Sequence, residues 1–579
     1  MTGNTETGAE GASVALEFVI GVTGHRDIAQ ADLEAVCGRL RDGLSLIRDR
    51  FSDLPVTVIT GLAEGADQLA TEVALDLGLR VRAVLPMPKP CYEADFKGEA
   101  LERFQTLHDD PRVTVHELPL AEGRGPADME SQANRDAQYA LLRDYLVRRS
   151  NAMMAVWDGI DNGLTGGTSD VVMSYLGNGG AEAPASVSAE VETSDNCGNA
   201  VIWVPARRVS DPEQDLGADC KILISNTNYD CYSTHTELPE ALLRRWEGLE
   251  TYAAAHASDE GRDLPEYGLG ADKAQVSADG TAIERQFLRA DQLASANQKN
   301  SDLMFKLFGL FAAAMGLSFL VYAKLVAAKA LLIIYVALFG LGYLGFRVSA
   351  QRHWLGCHLA YRAYAETLRV QFFLVLSGAG ERYSVRRILG LINVDHFERF
   401  EWLQDAVRCA EPLTYGTASA PEDAIDATRA LWIEDQAGYF GRKLHALHHQ
   451  HELLERVKTA LLAGSVLGAL ALIFFKKSLL YMDFAGFDGK TWLVFFMGLL
   501  PLWVAIWELY QGKMATRELL WQYANQRRYF AIAAQEIQAA QSAQAKQGMI
   551  RDLADRALVE IYLWSVHRYH REHEPPAAG

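Results

Sequence analysis

Three glycine-bearing turns follow apolar, β-branched runs in the first third of the chain, and their composition suits phosphate binding. They read Gly21-Val22-Thr23-Gly24-His25-Arg26-Asp27, then Gly61-Leu62-Ala63-Glu64-Gly65-Ala66-Asp67, then Asp158-Gly159 followed by Gly163-Leu164-Thr165-Gly166-Gly167-Thr168. Glycine lets a backbone approach an anion closely, and a helix starting behind it offers unsatisfied amides with positive dipole character. The candidate ligand contacts are Thr23, Gly24, His25, Arg26, Gly61, Ala63, Glu64, Gly65, Asp67, Asp158, Gly159, Gly166, Gly167 and Thr168. Arg26 could pair with phosphate and His25 could stack on a base, or both could cap a helix or face solvent. Glu64 and Asp67 suit ribose hydroxyls, and equally suit a helix start, where carboxylates serve as caps. Thr168 could hold phosphate through its hydroxyl and amide, or act as a plain N-cap. One such turn is weak evidence, because glycine also serves ordinary strand-to-helix connections; three in one sheet are stronger.

The elements that must position these residues alternate between short β-rich runs and helical stretches, the pattern of a parallel sheet wrapped by helices. Strands are expected at 16–22, 56–60, 81–85, 113–117, 152–156 and 201–204. Ligands of open parallel sheets bind at the carboxyl ends of the strands, where these turns lie. Residues 177–199, rich in glycine, alanine, serine and acids, read as a flexible loop. Beyond them, 221–225 suits a strand, 237–257 a helix and 258–280 a loop, and no pattern supports a catalytic role for Asp230, Cys231 or His235.

The second half carries four uncharged runs of seventeen residues in two close pairs, 307–323 with 330–346 and 459–475 with 491–507. At 1.5 Å per residue each covers about 26 Å, slightly less than the roughly 30 Å hydrocarbon core. Flanking lysines, among them Lys306, Lys324, Lys329, Lys458, Lys476 and Lys490, can lift their charge into the headgroups. The short links make each pair a hairpin. Basic residues concentrate on the outer flanks, so positive-inside counting places both termini and the central connector in the cytoplasm. The polar, acidic start of the chain gives no expectation of a signal peptide. Gly464 and Gly468 form a small-residue packing face, and Pro501 is expected to kink the fourth run. Trp354, His358, Tyr361, Ala365, Leu368 and Phe372 fall on one helical stripe after the second run. A lead-in helix at 431–457 and a long helix at 508–543 repeat the plan around the second pair. Helix, span, span, helix thus occurs twice, which points to duplication.

A net charge of −19 over 579 residues argues against a nucleic-acid binder, without excluding a small anionic ligand at a helix start. The seven cysteines (37, 91, 197, 220, 231, 357, 409) lie far apart, with no CxxC pair, and suit reduced cytoplasmic thiols. His445, His448, His449 and His451 could in principle hold a metal, but no carboxylate or cysteine completes the set, and a solvated helix face accounts for them better.

Thr23-Gly24-His25-Arg26, then Gly61-Leu62-Ala63-Glu64-Gly65-Ala66-Asp67, then Trp157-Asp158-Gly159 with Gly166-Gly167-Thr168, resembles the SLOG superfamily of Rossmann-like nucleotide-binding domains over residues 14–206. The middle segment also resembles the matching turn of DNA-processing A proteins. The superfamily includes LOG-type phosphoribohydrolases and domains that only sense nucleotides such as ADP-ribose derivatives. LOG enzymes carry a catalytic glutamate three positions after the threonine; here that position is Val171, and the neighbouring Asp170 points about 100° away on a helix. The resemblance therefore implies a binder of a nucleotide or NAD-derived ligand more than a hydrolase. The repeated hairpins are similar to SLATT domains, two-span units fused to SLOG sensors in bacterial conflict systems. This similarity covers 282–375 and 431–543, leaving 207–281 and 376–430 as connectors and 544–579 as a C-terminal helix and tail. It implies a homo-oligomer in the bacterial inner membrane that responds to the ligand by opening a pore. The rival readings are a membrane-anchored nucleotide hydrolase, with Glu64 or Asp158 in place of the missing glutamate, and a non-conducting signalling scaffold. The fold class expected is α/β with a Rossmann-like parallel sheet, followed by an all-α membrane region of two hairpins with long cytoplasmic helices.

Overall fold

The computed structural model describes residues 16–121, 123–177, 185–187, 197–217, 219–226, 231–259, 268–270, 276–380, 400–412, 422–514 and 516–569. The chain divides into two compact units, Met1–Asp291 with Ala363–Thr428 and Gln541–Glu560, and Gln292–Arg362 with Arg429–Ala540 and Ile561–Gly579.

The first unit is built on β1 (Phe18–Gly24), β2 (Val56–Thr60), β3 (Arg80–Leu85), β4 (Val113–Glu117), β5 (Ala152–Trp157), β6 (Ala185–Val187), β7 (Cys197–Pro205), β8 (Lys221–Asn226) and β9 (Cys231–His235). They join in one sheet of order β4-β3-β2-β1-β5-β7-β8-β9-β6. Strands β4 to β7 in that order are parallel, β8 runs antiparallel to both its neighbours, and β6 pairs parallel with β9. All six parallel strands expected from the sequence are present, as is the strand at 221–225. Helices Leu33–Arg48, Ala66–Asp76, Glu99–His108, Gln132–Arg149 and Thr168–Leu176 lie between the parallel strands in sequence. Strands covered on both faces read as continuous apolar runs, and β2 and β5 are buried throughout.

The segment 177–199, expected as a loop, instead supplies β6 and the first residues of β7, while 178–184 and 188–196 lie outside the described residues. Polar composition concealed the strand. Asn199 is buried there because its amide donates to Ser225 Oγ at 2.7 Å and its side chain donates to the Tyr175 carbonyl. The expected helix at 237–257 is Glu240–Asp259. Of the expected loop 258–280, residues 260–267 and 271–275 lie outside the described set, and the next helix already begins at Ala278.

The chain passes from β1 to β2, β3 and β4 on one side, and β5 then returns to the other side of β1. This reversal is a topological switch point, where loops at adjacent carboxyl ends diverge and leave a crevice. Gly24, the last residue of β1, is in register with Val156 of β5.

The apolar runs lie in the helices Ala278–Lys324, Lys329–Arg352, Asp435–Leu480 and Gly489–Met514. Among the described residues, four helices are long and apolar enough to cross a membrane, and at most 6% of each apolar window is buried within the protein. Ile333 (68%), Val336 (66%), Ile473 (71%) and Phe474 (74%) are largely exposed, a surface suited to hydrocarbon and not to water. Small residues bring helices together: a methyl on Gly316 would sit 2.5 Å from Leu502 Cδ2, and one on Gly468 would sit 3.0 Å from Met497 Cγ. Pro501 lies inside the helix Gly489–Met514, whereas the departure from helical dihedrals falls at Phe475 (φ −118°, ψ 15°). The third apolar helix continues past Lys476 to Leu480 before a two-stranded turn, β10 (Asp483–Phe484) and β11 (Phe487–Asp488). The helix expected at 508–543 is carried by the end of Gly489–Met514 and by Thr516–Ala539, with a further helix at Ala543–Tyr569. On Trp354–Leu376 the predicted stripe is buried at His358, Tyr361, Ala365, Leu368 and Phe372. His445, His448 and His449 are exposed, and His448 Nε2 lies 3.1 Å from Glu452. Cys37, Cys91, Cys220, Cys231, Cys357 and Cys409 are not joined in disulfides.

Candidate functional site

The three glycine turns sit at the carboxyl ends of β1, β2 and β5, and their glycines are required first of all by packing of one turn on another. Gly65 (φ 82°) starts the helix Ala66–Asp76, and a Cβ there would lie 2.4 Å from the Arg26 carbonyl oxygen and 2.5 Å from that of His25. The Ala66 amide donates to the His25 carbonyl at 3.0 Å. A Cβ on Gly24 would meet Ala66 Cβ at 2.3 Å, so only glycine allows the β1 and β2 turns to touch. Gly166 (φ 71°) packs against Tyr139 in the same way, and Gly159 (φ 82°) against the Trp203 ring. Leu62 adopts a left-handed conformation (φ 53°) while fully buried, a strained backbone at the centre of the second turn.

Asp67 acts as a staple for that turn. Its Oδ2 accepts from the Gly61 amide at 3.1 Å and the Ala63 amide at 3.4 Å. Burial pushes its carboxyl up to about 6, against the opposing pull of the Thr60 hydroxyl, the two amides and Arg26. Asp67 thus lies in the first turn of the helix Ala66–Asp76 and bonds back to the turn ahead of it. Glu64, one turn earlier, is exposed.

His25 is buried and bonded on both ring nitrogens. Nδ1 faces Arg208 Nη2 at 3.0 Å, and Nε2 lies 3.0 Å from Asp158 Oδ1. A guanidinium only donates, so Nδ1 accepts, and Nε2 also lies 2.9 Å from the Asp158 backbone amide, which donates to it. Burial, helped by Arg208 against the attraction of Asp158, holds His25 below its ordinary value and keeps the ring neutral. Asp158 also accepts from the Ile160 amide (2.9 Å) and Arg208 Nε (2.8 Å). Although burial acts to raise it, these partners together with His25 keep its carboxyl below the usual range. His25, Asp158 and Arg208 thus clasp the β1 turn, the β5 turn and the segment after β7.

Arg26 is exposed. Its guanidinium lies 5.6 Å from the Tyr139 ring centroid, and Nη2 donates to the Tyr139 hydroxyl at 3.3 Å. That hydroxyl donates to Asp95, which also pairs with Arg135. Tyr92, buried beneath, donates to the Gly61 carbonyl at 3.0 Å. Thr23 and Thr168 are buried, and Ala63 and Gly167 are half-buried at the rim. Thr168 is the first residue of the helix Thr168–Leu176, behind Gly167. Val171 is 2% exposed and belongs to the core, while Asp170 accepts from the Gly166 amide at 2.7 Å and pairs with Arg143 at 2.9 Å.

The structure therefore gathers all fourteen predicted residues at one end of the sheet and divides them by task. Gly24, His25, Gly65, Asp67, Asp158, Gly159 and Gly166 hold the turns together, while Arg26 and Glu64 are exposed. Sequence reasoning missed Tyr139, Asp95 and Arg208. Tyr139 lies in a helix and Asp95 in the turn after Lys89–Glu93, neither with a local signature, whereas Arg208 has one weak signal, a basic pair just after a strand. Asp230 lies outside the described residues. No protein-family model and no curated protein matches the chain.

Proposed function

We propose that the protein is a nucleotide-responsive membrane effector, in which a SLOG-like sheet domain binds a nucleotide or NAD-derived ligand and SLATT-like hairpins respond to it. The observation that carries this reading is the switch point between β1 and β5. There the exposed Arg26 stands on Tyr139, the residue against which Gly166 packs just ahead of Thr168–Leu176. A cation beside a helix start at the carboxyl edge of a parallel sheet is an arrangement that favours a phosphate-bearing ligand. Four exposed apolar helices in the same chain give the ligand a membrane element to act on. The protein is a homo-oligomer of the bacterial inner membrane with cytoplasmic termini, and its output is a change in permeability that serves defence against phage.

Binding without turnover is supported by the buried valine at position 171 and by the engagement of Asp170 with Arg143. The test is dye release from liposomes holding the purified full-length protein, with AMP, NAD and ADP-ribose added in turn. One of them is expected to bind and to change leakage, and Arg26→Ala should weaken that binding by about 1.5–3 kcal/mol, the worth of a hydrogen bond to a charged group. Leakage that is indifferent to a bound nucleotide would instead favour the scaffold reading. Release of a free base, abolished by Glu64→Gln, would establish a hydrolase.

A further inference from the structure

Two helices that begin at the crevice end on one distant segment. In Gln132–Arg149, Tyr139 supports Arg26 and packs on Gly166, Leu142 Cδ2 would lie 3.0 Å from a Cβ on Gly61, and Arg143 holds Asp170. One helix thus touches all three glycine turns. Ten residues past Tyr139, about 15 Å along the axis, Arg149 is 1% exposed. Its Nη1 donates to the carbonyls of Arg408 (2.8 Å), Cys409 (2.7 Å) and Glu411 (2.8 Å), and its Nη2 pairs with Glu17 at 3.2 Å. The second helix starts at Thr168, and near its other end the Tyr175 hydroxyl accepts from Arg408 Nη1 at 3.0 Å. Between the two, Asn151 donates to the Asp405 carbonyl at 2.9 Å.

The segment so gripped, 400–412, lies in sequence between the second and third apolar runs. Its helix Leu403–Cys409 has seven residues, too short to be stable alone, so its form depends on this clasp. A guanidinium spent on three carbonyl oxygens at a helix C-terminus is well placed electrostatically, but an apolar contact would serve stability as well. What the polar clasp adds is a defined docked state that a small displacement of the helix can break.

We infer that Gln132–Arg149, seconded by Thr168–Leu176, is a transmission rod that couples the state of the crevice to the docking of residues 400–412. This inference rests on the reading of the crevice as a nucleotide site. Ligand bound at Arg26 shifts Tyr139, the rod moves Arg149 against the helix end, and the linker between the hairpins is held or released.

Cys409 provides the readout. It is fully buried, its Sγ donates to the Glu17 carbonyl at 3.0 Å, and burial pushes its thiol up to about 12, so it alkylates slowly while docked. The full-length protein in nanodiscs is treated with N-ethylmaleimide, and the Cys409 rate is read by peptide mass spectrometry together with amide exchange over Leu403–Cys409. Without ligand, Tyr139→Ala is expected to change the Cys409 rate by about tenfold, within the usual range of allosteric coupling. Tyr139→Phe, which keeps the packing, should have a smaller effect in the same direction, and the exposed Ala137→Ser none. Exchange in Leu33–Arg48 should stay unchanged in all three. A Cys409 rate within twofold of the parent, or one that rises in step with Leu33–Arg48, overturns the rod. In the second arm ADP-ribose is added and its binding measured by calorimetry. Binding with an altered Cys409 rate supports the rod, and binding with an unaltered rate overturns it. Absence of binding counts against ADP-ribose as the ligand, and the ligand-free arm then decides the rod by itself.

Discussion

Asp67 shows how one residue can satisfy a motif and still serve the fold before the ligand. Its carboxylate is buried to hold two turn amides, and its folded pKa of about 6 exceeds the ordinary carboxylate value. A group raised in this way binds its extra proton in the folded state between about pH 4 and 6, so its contribution to stability falls as pH rises through that window. Asp67→Asn keeps an acceptor and removes the titration. The melting temperature of the variant minus that of the parent should therefore increase from pH 4 to pH 6 and level off above about pH 7, measured by intrinsic fluorescence. A difference that is flat across the range would contradict the assignment. The turn residues were legible in the sequence because three glycine-bearing turns follow apolar runs in one sheet. Their division of labour was not legible, because the distance from Gly65 to the Arg26 carbonyl is a relation between two turns some forty residues apart.

At the scale of elements, the parallel strands were legible because strands buried on both faces write themselves as apolar runs, as in Val56–Thr60. Strand β6 and the start of β7 were not: β6 has three residues and pairs with β9 further along the chain, and Asn199 of β7 is bonded to Tyr175 and Ser225. The segment 400–412 is the clearest case. It carries no motif, yet Arg149, Asn151 and Arg245 all bond to it, the last to Asp405 at 2.7 Å. A fragment ending at Asp259 would therefore leave Arg149 and Asn151 without these partners. We expect it to be less stable than the full first unit by roughly 3–5 kcal/mol, the scale for breaking a buried charged arrangement. Co-expression with residues 363–428 should recover much of the loss. Equal thermal denaturation of the fragment with and without that second piece, followed by circular dichroism, would refute the claim.

For the whole molecule, the exposed apolar surface sets the environment. Val336 stands 66% exposed on Lys329–Arg352, and an arginine there would carry an insertion penalty of about 2.5–3.5 kcal/mol at mid-helix. Val336→Arg should shift protein from the alkali-resistant membrane pellet to the soluble or degraded fraction, while Val336→Leu should not; equal retention of both would argue against a lipid-facing helix. Sequence by itself determined the two parts of this protein, an α/β sheet with glycine turns at its carboxyl edge and four apolar helices in two pairs. It could do so because strand burial and membrane crossing are imposed on consecutive residues and leave periodic or unbroken apolar patterns. Only the tertiary structure decided that β1 and β5 flank the switch point, that Tyr139 underlies Arg26, and that a linker some 250 residues downstream completes the amino edge of the sheet through Arg149. Those are contacts between residues remote in the chain, made by polar atoms whose partners a one-dimensional pattern does not record.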